Sequence, residues 1–142
     1  MFNQGNNSFT PVGYNAISVG AVGDLNNDGF LDIQNGSTIR YGVPNGNNWL
    51  KVTLQGIQSN RNGIGARVEI YGPWGKQIRD IRSGEGFRYM SSLNAHFGLG
   101  TSTVINQVII KWPSGIVDTY NNVTANQPLS AVEGATLGID AF

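Results

Sequence analysis

Four oxygen-bearing side chains, Asp24, Asn26, Asp28 and Asp32, fall at the first, third, fifth and ninth places of the segment Asp24-Leu25-Asn26-Asn27-Asp28-Gly29-Phe30-Leu31-Asp32. Alternate side chains of a tight loop converge when a glycine permits the sharp bend, and Gly29 stands where that bend is needed. A donor set of carboxylates and an amide, with no sulfur, selects a hard cation over zinc or copper. Calcium takes about six to eight oxygens at about 2.3–2.6 Å. The expected site therefore uses the side chains of Asp24, Asn26 and Asp28, the carbonyl of Phe30, one or two oxygens of Asp32, and water, with Ca2+ as the cofactor. The competing account is an Asx-rich turn whose carboxylates bond nearby amides, but turn chemistry does not require three acids to converge. A helix–loop–helix calcium site is ruled out. Its twelfth position would be Asn35 rather than a bidentate glutamate, and the flanks Ile17 to Val22 and Phe30 to Ile33 carry no helical period.

Outside this loop no residues are arranged for catalysis. His96 is the single histidine, and no Gly-x-Ser-x-Gly elbow accompanies Ser91 or Ser92, so the reading is a structural histidine bonded to backbone. Glu69, Asp80, Glu85, Asp118, Glu133 and Asp140 include no marked pair of the kind that cleaves a glycoside. The chain is therefore expected not to be an enzyme. Arg67, Arg79, Arg82 and Arg88 lie close in sequence to Glu69, Asp80 and Glu85, which predicts cross-strand ion pairs on a solvated sheet face. Trp49, Trp74 and Trp112, with Tyr71 and Tyr89, serve either as core or as a stacking surface for sugars. Trp74 lies at a predicted turn tip, an exposed place for an indole, so Trp74 and Tyr71 are the candidate residues for contact with a ligand or partner.

The elements that must hold these groups are strands. Apolar residues alternate at Leu50, Val52 and Leu54, and again at Ala66, Val68 and Ile70, the period of a half-buried strand. Further candidates are Ala16 to Val22, Thr38 to Tyr41, Gln77 to Arg82, Phe87 to Ser92, Val104 to Trp112, Ile116 to Tyr120 and Leu129 to Val132. Gly72-Pro73-Trp74-Gly75 and Pro113-Ser114-Gly115 supply hairpin turns between them, which implies antiparallel pairing. The prediction is an all-β fold, an antiparallel β-sandwich or partly open barrel, with an N-terminal β-hairpin carrying the calcium loop.

The composition agrees with short strands and many turns: 20 glycines, and only 13% charged residues in 142. Nine basic and nine acidic side chains cancel, so no large field draws the chain to nucleic acid, and no apolar run is long enough to span a bilayer. The absence of cysteine removes disulfides and thiolate chemistry. Sequons at Asn6, Asn35 and Asn122 are what so asparagine-rich a chain holds by chance. The shift at Pro44-Asn45-Gly46-Asn47-Asn48 divides the chain into residues 1–45, residues 46–134, and a tail or last strand over 135–142.

The spacing of the calcium loop resembles FG-GAP/VCBS repeats. From Asn48 onward, Asn48-Trp49-Leu50-Lys51-Val52, Ser59-Asn60-Arg61-Asn62-Gly63-Ile64-Gly65-Ala66-Arg67-Val68, Arg82-Ser83-Gly84-Glu85-Gly86, His96-Phe97-Gly98-Leu99-Gly100 and Lys111-Trp112-Pro113-Ser114-Gly115 resemble the ASPIC/UnbV domain of cartilage acidic protein and its bacterial relatives. The resemblance implies an extracellular or cell-surface protein acting in adhesion, matrix or assembly, with a protein or glycan as partner. Two other readings stay open. One is a fibre subunit joined to its neighbours by strand addition, the other a carbohydrate-binding module. A single repeat cannot bury its faces alone, so either the chain is a fragment of a longer multi-repeat protein or the first 45 residues pack on the sandwich or on a neighbouring molecule.

Overall fold

The computed structural model describes residues 2–3, 8–10, 20–86 and 88–136, and among these every regular element is a strand. Two short strands, β1 (Phe2–Asn3) and β2 (Phe9–Thr10), pair antiparallel. A three-stranded meander follows, β3 (Ala21–Gly23), β4 (Asp32–Asn35) and β5 (Thr38–Arg40), with Gly23 opposite Asp32 at the mouth of the loop. The remaining strands are β6 (Asn48–Gln55), β7 (Arg67–Gly72), β8 (Gly75–Asp80), β9 (Ala95–Gly100), β10 (Val104–Lys111), β11 (Val117–Thr124) and β12 (Gln127–Val132). They form two sheets, ordered β11-β10-β7-β8 and β12-β6-β9, which make a β-sandwich.

The period-two residues fill the space between the sheets. Leu50, Val52 and Leu54 of β6 and Ala95, Phe97 and Leu99 of β9 meet Val68 and Ile70 of β7 and Val108 and Ile110 of β10 in one core. Both predicted turns are present. Gly72 pairs with Gly75 around Pro73-Trp74, and Gly75 has φ 99°, which glycine adopts without strain. At the other hairpin the Trp112 N–H donates to the Ile116 carbonyl at 2.9 Å around Pro113-Ser114-Gly115.

Several expectations are corrected. Strand β12 runs parallel to β6, so the pairing is not antiparallel throughout. Residues 88–92 form no strand: Arg88 sits at φ 78°, and the segment bonds side-on to β3, with the Ser92 N–H donating to the Val22 carbonyl at 2.9 Å. Phe87 lies outside the described residues, as do 16–19 of the first candidate, which survives as Ala21–Gly23. Strand β9 was not expected: Ala95, Phe97 and Leu99 keep a two-residue period, but Gly98 and Gly100 between and after them give the segment little strand propensity. Trp74 is not the exposed turn-tip indole that was expected. It folds back against the core, and a methyl group added at Gly72 would run into its ring. Tyr71 donates its hydroxyl to Glu69 Oε2 at 2.7 Å.

The sheets meet along one corner through side chains. Gln77 and Arg79 of β8 donate to the carbonyls of Gly98 (2.9 Å) and His96 (3.1 Å) on β9. These bonds occupy acceptors that an edge strand would otherwise leave open to another chain.

Candidate metal centre

The loop between β3 and β4 is bent by Asn27 at φ 60° and Gly29 at φ 88°, conformations favoured by asparagine and glycine. The bend turns the candidate side chains toward the loop backbone. Asp28 accepts the Phe30 N–H at 2.8 Å through Oδ1, and its other oxygen takes the Asn26 amide at 2.8 Å. Asn26 Oδ1 in turn accepts the Asp28 N–H at 3.2 Å. Asp32 is fully buried. It ties the start of the loop to the chain just after β5, with the Leu25 N–H at 2.7 Å on Oδ2 and the Gly42 N–H at 2.8 Å on Oδ1.

Asp24 is arranged differently. Its Oδ2 accepts the Gly29 N–H at 3.2 Å and the Lys51 ammonium at 2.8 Å, while its buried Oδ1 has no hydrogen-bond partner among the described residues. The side chain is only 1% exposed, and a buried carboxylate oxygen lacking a donor is costly unless something positive meets it. The donor chemistry therefore fits a hard cation at Asp24, with Asn26, Asp28 and the Phe30 carbonyl as the nearest further oxygens in sequence. In the geometry observed, Asp32 faces backbone donors instead. Among the described residues no three acids, histidines or cysteines gather around one point.

Strands β6 and β9 form the seat of the loop. Lys51, 7% exposed, also donates to Asn27 Oδ1 at 2.9 Å, so its ammonium is shared between two loop residues. Gly29 lies directly on the Trp49 indole, with no space for a Cβ. His96 Nε2 lies 2.8 Å from the Gly29 carbonyl, which makes it the backbone-bonded histidine expected. Its ring is stacked 6.2 Å from Trp49 at 14°. Burial pushes the His96 pKa down. The positive charges of Lys51 and Arg79 push the same way, against the Gly29 carbonyl and Asp24. Lys51 and Trp49 were not singled out as loop contacts in the sequence, where they lie on the polar side of an amphipathic strand. The only available signal was a lysine beside a tryptophan on the face that the first 45 residues would have to cover.

A further acid, Glu133, is tied into backbone donors on the sandwich. The Glu133 carboxylate takes the N–H groups of Ile57, Gln58 and Ser59 at 2.6–2.8 Å, and the hydroxyls of Ser59 and Ser114. Burial opposes its charge, yet the Ser114 and Ser59 hydroxyls and the backbone donors outweigh it and lower its pKa from 4.5 to about 2. Both depressed groups carry the same sign of linkage, since each binds its proton more weakly in the folded state than in the unfolded chain. For His96, stability present above pH 6.5 should be lost as pH falls through the lowered folded value. For Glu133, stability present above pH 4.5 should be lost as pH falls toward about 2. Urea titrations across this range should show an upper decline that is missing in His96→Phe, and a lower one, shared with the other depressed carboxylates, that is smaller in Glu133→Gln. A single decline unchanged in both variants would contradict these assignments.

Residues 56–137, more than half of the chain, match the family model described as ASPIC and UnbV. No curated protein matches the chain.

Proposed function

The chain belongs to the ASPIC and UnbV family, and from that premise we propose that it is a non-catalytic extracellular module whose FG-GAP/VCBS-like loop binds calcium and whose β-sandwich acts in adhesion, matrix or assembly. The observation that carries the metal reading is the buried, unpartnered Oδ1 of Asp24, in a loop that also holds Asn26, Asp28 and Asp32. Calcium there acts as a staple. It would meet the open oxygen of Asp24, draw the neighbouring oxygens of the loop toward it and fix the loop against β6 and β9.

A ligand that binds only the folded state stabilises it by RT ln(1+[L]/Kd), and extracellular calcium sites have Kd of roughly 10⁻⁴–10⁻³ M. Millimolar calcium should therefore add on the order of 1 kcal/mol, seen as a higher Tm than in EDTA. Asp24→Asn and Asp28→Asn should remove the difference, with magnesium at the same concentration having a smaller effect. Equal melting temperatures in calcium and EDTA would refute the metal reading.

A further inference from the structure

Beside the loop, a cleft of about 310 Å³ opens between residues 29–31, the 45–49 segment and the β8–β9 corner. Clefts that hold small organic ligands begin at about 300 Å³, which gives this one room for a short saccharide segment. Its lining combines three kinds of group. Trp49 presents an indole, Asn45, Asn47 and Asn48 present amides, and Arg79 presents a guanidinium, with no carboxylate among them.

These groups are held in place before any ligand arrives. Asn126, at φ 61°, donates its amide to Asn48 Oδ1 at 2.7 Å and accepts the Trp49 N–H at 3.1 Å. Asn45 Oδ1 accepts the Asn47 N–H at 3.1 Å. In Asn45 and Asn48 the acceptor end is thus occupied and the NH2 end can donate outward. Arg79 rests 5.1 Å over the Phe97 ring, with Nε and Nη1 donating to the His96 and Ile78 carbonyls. No carboxylate among the described residues pairs with it, whereas Arg67 and Arg82 both pair with Asp80.

We propose that this cleft binds an acidic saccharide, a uronate-bearing oligosaccharide, with its hydroxyls on the three asparagine amides, its carboxylate on Arg79 and its C–H groups against the part of the Trp49 indole that Gly29 leaves open. Apolar indole surface suits the C–H groups of a sugar, amides pair with hydroxyls, and guanidinium is the group best matched to a planar carboxylate. One guanidinium in a set of neutral amides fits one carboxylate per sugar and not a multiply charged phosphate. The proposal does not rest on the calcium reading, since Asn48 and Trp49 are anchored in β6 and Arg79 in β8.

Titration calorimetry of the full chain should use tetragalacturonate, with cellotetraose as a neutral control of equal length, in calcium-free buffer and again with calcium. Tetragalacturonate should bind about tenfold or more tightly than cellotetraose, the ratio one lost ion pair of about 1.4 kcal/mol produces. Arg79→Gln should erase that preference, and Asn47→Ala, on an exposed side chain, should weaken both ligands without moving Tm. Trp49→Ala also removes the contact with Gly29, so the Arg79 and Asn47 variants decide the matter if it fails to fold. No binding of either saccharide, equal affinity for the two, or binding unchanged in both Arg79→Gln and Asn47→Ala would overturn the proposal. Binding without a calcium-dependent Tm would leave the cleft standing and remove the metal reading.

Discussion

Replacing Asp118 by alanine should lower the unfolding free energy by about 3–5 kcal/mol, because up to four donors would lose their acceptor at one buried point. Asp118 is fully buried. Its Oδ2 accepts the Trp112 indole N–H and the Gly134 N–H, both at 2.7 Å, and its Oδ1 accepts the N–H (2.8 Å) and hydroxyl (2.6 Å) of Thr136. The Trp112 donor is buried with it, so water cannot replace the carboxylate there. The hydroxyl of Thr136 also accepts the Thr119 N–H at 2.9 Å, which ties the segment after β12 to β11. Asn is no substitute, since whichever way its amide turns, an NH2 group faces donors. Burial works against the Asp118 charge, but the Thr136, Gly134 and Trp112 donors prevail and hold its pKa below 3.8. With the folded value depressed, the stability it contributes is present above pH 3.8 and lost as pH falls through that lower value. Near neutral pH the denaturant midpoints of Asp118→Ala and Asp118→Asn should both lie below that of wild type, and the gap should narrow as pH falls through the lowered Asp118 value. A loss below about 1 kcal/mol in the alanine variant would show that the network is not worth what its burial implies.

The second large effect should come from Gly29→Ala, and it should be local before it is global. A methyl group at Gly29 would overlap Cε2 and Nε1 of Trp49, and the residue would keep a φ of 88° that costs an alanine about 1–2 kcal/mol. Overpacking adds about 1–3 kcal/mol where neighbours cannot give way. The sandwich beneath does not depend on this contact, so the cheaper response is for the loop to lift from β6 and β9. The expected result is loss of the Lys51–Asp24 pair and the His96–Gly29 bond, with the core intact. Hydrogen exchange should show the loop opening while β7 and β10 stay protected, and the His96 pKa read by NMR should return toward 6.5. Gly36→Ala is the control, since it has φ 55° and nothing within 4 Å of the added methyl, and so bears only the backbone strain. Equal behaviour of the two variants would mean that the Trp49 contact does not hold the loop.

The alternation at Leu50 to Leu54 and Ala66 to Ile70, and the proline–glycine turns at residues 72–75 and 113–115, determined the all-β class and two of the hairpins. The landmarks after residue 48 agree with the family to which the chain belongs. Such features depend on a few neighbouring residues, so they are readable without the fold. The candidate calcium residues were legible in the same way, as a spacing within nine positions. Strand β9, the parallel β12–β6 pairing and the inward fold of Trp74 were not, because glycines lower the strand propensity of β9 and pairing direction is set by where strands meet. The partner of Asp24 was equally hidden. Lys51 lies 27 residues further on and His96 67 residues beyond Gly29, and only the stacking of β6 beside β9 brings them to the loop. Local sequence encodes the candidate ligating groups and the strands. The surface on which the loop rests, and the charge that meets it there, are decided by long-range packing.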